Sequence, residues 1–182
     1  EAYEDLVYEG EHLSIASLPG MLERTISVFT LSKSFSMTGW RCGYLVAAEL
    51  FMEPIRKLVL NSINGVSTPT QYAAAAAIAD RSDYLANLRD EYRSRRDLLI
   101  RGVRDAGFRC ATPRGAFYLF ADVRARLGGD SWKAMDRLLD ETGIATVPGV
   151  VFGPEGEGFL RMSFSNPIET LERAVEALGK LG

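Results

Sequence analysis

The spacing of apolar residues predicts helices over residues 49–61, 70–79, 84–106, 132–142 and 168–181. In the first of these, Phe51, Ile55 and Leu58 recur at intervals of three or four residues and therefore share one face. The third is the longest, and Gly107 directly after it is a common C-terminal signal. Arginines over residues 89–104 are interspersed with acidic residues, which predicts a solvated, salt-bridged helix face rather than a nucleic-acid surface.

Short apolar runs between these helices predict strands over residues 25–31, 44–48, 108–111, 116–120, 144–147 and 159–164. The pattern changes near residue 83. We predict that residues 1–82 are part of a larger α/β domain, that residues 83–106 form a connecting helix, and that residues 107–182 form a small α+β domain. The first part has too few strands to complete a sheet that is covered on both faces, so it should expose an apolar edge and face.

The composition excludes several classes of function. The chain has 182 residues, a net charge of −3 and 47% hydrophobic residues, which gives no electrostatic reason to expect a nucleic-acid partner. No apolar stretch reaches the ~20 residues that cross a bilayer, so we expect no membrane partner. Two cysteines and one histidine argue against a disulfide framework, a zinc site and a His-based triad. With no signal-peptide pattern, we expect a cytoplasmic protein.

Lys33 is the first candidate for chemistry. It follows the apolar run over residues 25–31, and the hydroxyls of Ser32, Ser34 and Ser36 surround it in sequence. A lysine desolvated near a cation such as Arg41 is a better nucleophile toward an aldehyde, while hydroxyls and a guanidinium can hold a phosphate. A reactive lysine beside a phosphate socket is what a pyridoxal phosphate (PLP) enzyme requires. The alternative is a solvated loop lysine.

The segment Ser-Lys-x5-Gly-x-Arg-x-Gly over residues 32–43 resembles the PLP-attachment signature of class I/II aminotransferases. These are fold-type I enzymes, and the pattern is similar to that of the aspartate aminotransferases. Three other parts of the chain resemble the family as well. Residues 1–3 resemble the end of its Asp-Glu-x-Tyr motif, and residues 113–120 are similar to a strand of its small domain. Residues 147–164 resemble its carboxylate-binding region. The resemblance covers essentially the whole chain.

This resemblance implies a role for each motif residue. Lys33 would bind PLP covalently as a Schiff base and would then move the proton at the α-carbon of the substrate. Thr30 and Arg41, with Ser32 as a weaker candidate, would bind the cofactor phosphate. Tyr3 would donate a hydrogen bond to the 3′ oxygen of the cofactor; its alternative is an ordinary tyrosine of the sheet.

Arg161 is the candidate for substrate binding. It lies in the middle of an apolar strand, where alternation places it on one face with Phe159 and Ser163. An arginine there is costly unless it meets an anion, and the resemblance implies that it binds the substrate α-carboxylate. The alternative is an exposed arginine on an edge strand. We interpret Tyr118 and Phe120 as core or pocket wall.

The resemblance also implies what the chain lacks. A family member is about twice as long, so the predicted fold is the C-terminal part of a fold-type I enzyme: a remnant of the large, mainly parallel sheet domain plus the small α+β domain. The aspartate that pairs with the pyridine nitrogen is absent. We therefore expect the chain alone to be an incomplete, inactive part of a homodimeric aminotransferase acting on an amino acid and a 2-oxo acid. Another fold-type I lyase or decarboxylase, or a non-catalytic regulator domain, remains open, as does the substrate side chain.

Overall fold

The computed structural model describes residues 1–182, which form two compact units, Glu1–Asn87 and Leu88–Gly182. The helices are α1 (Leu31–Ser34), α2 (Glu49–Ser62), α3 (Thr68–Ala79), α4 (Tyr84–Asp105), α5 (Arg124–Leu127), α6 (Ser131–Thr142) and α7 (Ile168–Gly179). The strands are β1 (Ser27–Thr30), β2 (Gly43–Val46), β3 (Arg109–Cys110), β4 (Tyr118–Asp122), β5 (Val147–Pro148) and β6 (Phe159–Ser163). The boundary between the units lies within α4, and the predicted division into three parts stays a prediction. None of these helices has the length and the apolar run needed to cross a bilayer.

In the first unit, β1 and β2 form an antiparallel pair in which Phe29 lies opposite Tyr44. Their rings stack with centroids 4.7 Å apart. The predicted strand over residues 25–31 is too long at its C-terminal end. Thr30 accepts a hydrogen bond from the Ser32 amide through Oγ1 (3.2 Å), and this N-cap starts α1 at residue 31. Lys33 therefore lies in a short helical turn rather than directly on the end of a strand.

The segment that follows β1 packs on α3. Leu31 and Met37 are buried together with Ala74 of α3. Ala73 and Ala77 of the same helix lie against this cluster. Small side chains on α3 let the backbone after β1 approach closely, which gives the alanine-rich helix a definite packing role.

The β1–β2 pair exposes apolar side chains, as the small number of strands predicts. Val28 is 60% exposed and Val46 is 47% exposed. A groove of about 630 Å³ lies between this pair and α2. The two strands are antiparallel although the predicted domain is mainly parallel; mixed sheets of this kind commonly carry an antiparallel strand.

The second unit is an α+β layer, as predicted. Its four strands lie in the order β3-β4-β6-β5 with antiparallel neighbours. One face carries Leu119, Ala121, Leu160 and Met162, all of which are buried. Because side chains alternate along a strand, the opposite face carries Tyr118, Phe120, Arg161 and Ser163.

The arginine-rich helix α4 is only partly the solvated surface that its sequence predicts. Arg93 pairs with Asp90 on its exposed side. Arg95 pairs with Glu91, but its side chain is only 15% exposed and it also donates to the Ser165 carbonyl (3.2 Å). Arg96 contradicts the prediction, because it is 5% exposed. Its guanidinium donates to the Pro113 carbonyl (2.9 Å), so it anchors the turn before β4 rather than facing water.

Gly102 of α4 provides a test of the packing in the second unit. A Cβ at this position would lie 2.4 Å and 2.6 Å from the two methyl groups of Val175 on α7. We expect Gly102→Ala to lower the free energy of unfolding by about 1–3 kcal/mol through overpacking. At a solvent-exposed helix position with no neighbouring side chain, the same change would instead raise the free energy of unfolding by about 1 kcal/mol.

Urea unfolding of the wild type and of Gly102→Ala measures this difference in the free energy of unfolding. Gly179→Ala is the matched control, because a Cβ there meets nothing within 4 Å. Adding Val175→Ala to Gly102→Ala should recover part of the loss. A Gly102→Ala protein at least as stable as the wild type would contradict the packing of α4 against α7.

Candidate active site

The segment from Leu31 to Cys42, which we call the lysine loop, is closed at both ends by backbone contacts. Thr30 lies opposite Gly43 in the β1–β2 pair, and the Leu31 amide donates to the Cys42 carbonyl (3.2 Å). Inside the loop, the Met37 amide donates back to the Leu31 carbonyl (3.3 Å). The loop therefore has a fixed course set by its own backbone.

The two glycines of the motif have different physical roles. A Cβ on Gly43 would lie 2.3 Å from the carbonyl oxygen of Phe29, so only glycine permits this close approach of β2 to β1. A Cβ on Gly39 would meet nothing within 4 Å. The closure of the loop thus depends on Gly43 and not on Gly39.

Ser36 and Arg41 adopt left-handed backbone conformations, with φ of 53° and 51°. Such conformations cost non-glycine residues about 1–3 kcal/mol each and persist only where the surrounding structure imposes them. They are found most often at functional sites. Four non-glycine residues of the chain adopt such conformations, and two of them lie in the loop that carries Lys33; the others are Asn64 and Ala116.

The structure brings the predicted cofactor residues Thr30, Ser32, Lys33 and Arg41 together in and beside this loop. Lys33 and Ser32 are half-buried on α1, whereas Arg41 is exposed. Thr30 Oγ1 accepts from the Ser32 amide, which leaves its hydroxyl proton to donate to another acceptor. The hydroxyl of Thr38 donates to the Ser32 carbonyl (3.1 Å) and ties the two sides of the loop together.

Arg41 is the charged group of this set. Its Nη1 donates to the Thr38 carbonyl (3.0 Å), and it forms no ion pair with an acidic side chain of the chain. An unneutralised guanidinium near hydroxyl donors suits a phosphate, whose oxygens accept several hydrogen bonds. The donors present therefore fit a phosphorylated aldehyde cofactor.

Tyr3 belongs to a segment that runs beside the β1–β2 pair. The nitrogen of Glu1 donates to the Val28 carbonyl of β1 (3.0 Å). Burial, together with the charges of Glu4 and Asp5, raises the pKa of Tyr44 on β2. Tyr3 itself is half-buried in this segment, in the same unit as Lys33.

Arg161 lies on β6 in the second unit. The alternation along β6 is as predicted: Leu160 and Met162 are buried, while Arg161 is half-buried. The edge-strand alternative is wrong, because β6 lies between β4 and β5. The guanidinium carbon lies 4.4 Å from the ring centroid of Tyr118 and 4.8 Å from that of Phe152. No acidic side chain of the chain forms an ion pair with it.

Phe152 is the residue of this site that the sequence did not reveal. It ends a single 3₁₀ turn, Gly149–Phe152, in a segment without periodicity, so no pattern assigned it a partner. The available signal was the pair of glycines Gly149 and Gly156: a Cβ on the first would lie 2.2 Å from the carbonyl oxygen of the second. That contact folds the segment back toward β6.

The one carboxylate on the Arg161 face of β4 is already neutralised. Asp122, at the end of β4, accepts hydrogen bonds from Arg109 (2.7 Å) and from Arg124 (2.8 and 2.9 Å). Hydrogen bonds from Arg124, the larger cause, and from Arg109 hold the pKa of Asp122 well below its usual range. Two arginines on one carboxylate leave this face with excess positive charge, which favours an anion.

Comparisons with known proteins agree with this geometry. The family model "Aminotransferase class I and II" matches residues 1–178. The chain is 38% identical to aromatic-amino-acid aminotransferase 2 of Thermococcus litoralis, over 100% of this chain and 47% of that protein. It is 39% identical to the aspartate aminotransferase of Pyrococcus abyssi, again over 100% of this chain and 47% of that protein.

A solved structure shows the same similarity. The aromatic aminotransferase from Pyrococcus horikoshii OT3 superimposes with a TM-score of 0.92 at 39% sequence identity, covering 98% of this chain and 48% of that one. The chain thus spans about half the length of the curated relatives that it matches.

The two motif glycines give a matched pair of substitutions. We expect Gly43→Ala to separate β1 from β2 and to lower the free energy of unfolding by about 2 kcal/mol or more, because its Cβ would overlap the Phe29 carbonyl. Gly39→Ala should change it by no more than about 0.5 kcal/mol. Chemical unfolding measures both, and equal effects of the two substitutions would contradict the loop closure.

The Asp122 ion pairs predict a pH dependence. A carboxyl whose pKa is lowered by folding stabilises the folded state above its unfolded pKa of about 3.9, and this stabilisation is lost as the pH falls below that value. The difference in unfolding free energy between wild type and Asp122→Asn should therefore be constant from about pH 5 to 8 and shrink below about pH 4. Asp140→Asn on α6, where the exposed aspartate forms no ion pair, is the control. A difference that does not shrink in acid would contradict the pairing.

Proposed function

Because the chain belongs to the class I and II aminotransferases, we propose that it carries PLP on Lys33 and takes part in moving an amino group from an amino acid to a 2-oxo acid. Enzymes of this family depend on PLP. The observation that carries the proposal is the lysine loop, which holds a half-buried lysine, hydroxyl donors and an unpaired arginine in one closed segment.

Lys33 differs from the other lysines of the chain. Lys57, Lys133 and Lys180 each pair with a carboxylate on the same helix and are 71%, 84% and 73% exposed at the side chain. Lys33 is half-buried and lies between the N-cap of α1 and the Arg41 turn. Partial burial in the loop distinguishes Lys33 from these exposed lysines as a candidate nucleophile.

The other residues of the loop would hold the cofactor in place. Arg41, with Thr30 and Ser32, would bind its phosphate, and Tyr3 would donate to the oxygen on its ring. Bound PLP supplies an electron sink for the pair released when a bond at the substrate α-carbon breaks. Lys33 would hold the cofactor through its amine, and the same amine would accept and return the proton at the α-carbon of the substrate.

Arg161 would bind the α-carboxylate of the substrate. A guanidinium with two coplanar N–H donors on one edge meets both oxygens of a carboxylate at once. Two hydrogen bonds to the same planar guanidinium restrict rotation of the substrate and so select which α-carbon bond can break. Arg161 has no competing acidic partner in the chain.

The whole activity would belong to a longer protein. This chain spans about half the length of its relatives. We propose that a longer protein containing this chain, acting as a cytoplasmic homodimer, supplies an aspartate that pairs with the ring nitrogen of PLP. Aspartate and aromatic amino acids are the first donors to test, because the similar proteins are named for them.

Chemical trapping tests the proposal on the chain itself. The chain is incubated with PLP, reduced with borohydride and digested, and the peptides are analysed by mass spectrometry for a pyridoxyl adduct. We expect the adduct on Lys33 in preference to Lys57, Lys133 and Lys180. Arg41→Ala should raise the PLP concentration that gives half-maximal labelling by about tenfold, because a charged hydrogen-bond donor to the phosphate is lost.

Lys33→Ala is the control and should abolish the selective adduct without changing the weak labelling of the exposed lysines. Pyridoxal without its phosphate should label Lys33 poorly, because Arg41 then has no anion to bind. Equal labelling of all lysines in the wild type would refute a PLP site at Lys33.

A further inference from the structure

Two aromatic rings contact the guanidinium of Arg161. Its central carbon lies 4.4 Å from the ring centroid of Tyr118 and 4.8 Å from that of Phe152. Contacts at these distances between a guanidinium and an aromatic face are attractive. They do not neutralise its charge, so its N–H donors can still bind an anion.

Each of the two rings is itself supported. Phe152 meets the ring of Phe120 edge to face at 6.2 Å, and Phe120 stacks on Phe159 at 5.1 Å with an angle of 7° between the rings. Tyr118 meets the ring of Phe117 at 4.8 Å. Phe152, Phe120 and Phe159 therefore form one group of contacting rings and Tyr118 and Phe117 another, and Arg161 contacts one ring of each group.

The backbone that carries Phe152 is fixed as well. The turn Gly149–Phe152 is held against Gly156 by the close contact of the two glycines. The segment after Gly156 is tied to α6, because the fully buried hydroxyl of Ser131 accepts a hydrogen bond from the Gly158 amide (2.8 Å). Phe152 nevertheless remains 54% exposed, so core packing does not explain its place beside Arg161.

We propose that Phe152, together with Tyr118, is a positioning residue that restricts the orientation of the Arg161 guanidinium and thereby sets its affinity for the carboxylate of an amino acid or 2-oxo acid. This inference rests on the proposed function, since it assumes that Arg161 receives that carboxylate. A freely rotating arginine loses side-chain entropy when it binds, whereas a clamped guanidinium already presents the geometry of the bound state. Phe152 itself need not touch the substrate.

Nuclear magnetic resonance on the 182-residue chain tests directly whether Phe152 and Tyr118 restrict the Arg161 guanidinium. The signal of the Arg161 Nε–H group, assigned through its loss in Arg161→Lys, is followed while pyruvate is added as the carboxylate probe. In the wild type, the rings should shift this signal, and pyruvate should move it along a saturable curve. In Phe152→Leu the ring-dependent shift should shrink, and the dissociation constant for pyruvate should rise about tenfold.

Matched variants separate positioning from general structure. Phe152→Tyr keeps a ring in place and should retain pyruvate affinity within about twofold. Val151→Ala changes the exposed neighbour in the same turn and should leave both the signal and the affinity unchanged. Pyruvamide, which has the shape of the probe without its charge, should not produce the saturable shift.

The proposal is overturned if Phe152→Leu binds pyruvate as tightly as the wild type, or if pyruvate does not move the Arg161 signal in the wild type. An unaltered Gly158 amide signal in Phe152→Leu shows that the segment still folds; if that signal is lost, Phe152→Tyr decides the question through its affinity. Pyridoxyl labelling of Lys33 should be the same in all these variants. If Phe152 does not position Arg161, the proposed PLP site at Lys33 is therefore unaffected. If Lys33 is not labelled, the pyruvate titration still tests the positioning role separately.

Discussion

The close approach of Gly43 to the Phe29 carbonyl is the constraint on which the candidate site depends. It allows β2 to return directly beside β1, so that the residues between them form a short closed loop. The loop includes the left-handed residues Ser36 and Arg41, and along the chain it places Lys33 between the Thr30 hydroxyl and the arginine. The chemistry proposed for the loop follows from this backbone geometry, because none of these groups would hold a common ligand if the loop were open.

In the second unit, Arg161 lies on a sheet face rich in aromatic residues and forms no ion pair with an acidic side chain, so it is available to bind an anion. Asp122 is occupied by Arg109 and Arg124, so it does not compete for Arg161. The rings of Tyr118 and Phe152 contact its guanidinium and, in our proposal, restrict its orientation. Charge and orientation are thus provided by different side chains, and each can be changed separately.

Much of the fold followed from the sequence because its helices are long and periodic. The motif over residues 32–43 also led to the prediction that Lys33 and Arg41 bind the cofactor, and these roles stay a prediction. Sequence could not distinguish Gly39 from Gly43, since the difference depends on which backbone atom lies opposite. It also misjudged Arg96, because burial against the Pro113 carbonyl is a tertiary contact that charge spacing does not encode. Phe152 was missed for a related reason: a single turn has no periodicity from which a partner can be inferred.

The most direct test of the central claim is hydrogen exchange of the chain with and without PLP, measured by mass spectrometry of peptides. If the loop between β1 and β2 forms the phosphate and lysine site, PLP should slow exchange over residues 30–43 and leave α6 and α7 unchanged. Lys33→Ala and Arg41→Ala should each reduce this protection, and the reduction should be larger in Arg41→Ala. Protection that is absent from residues 30–43, or that falls elsewhere in the chain, would contradict the account.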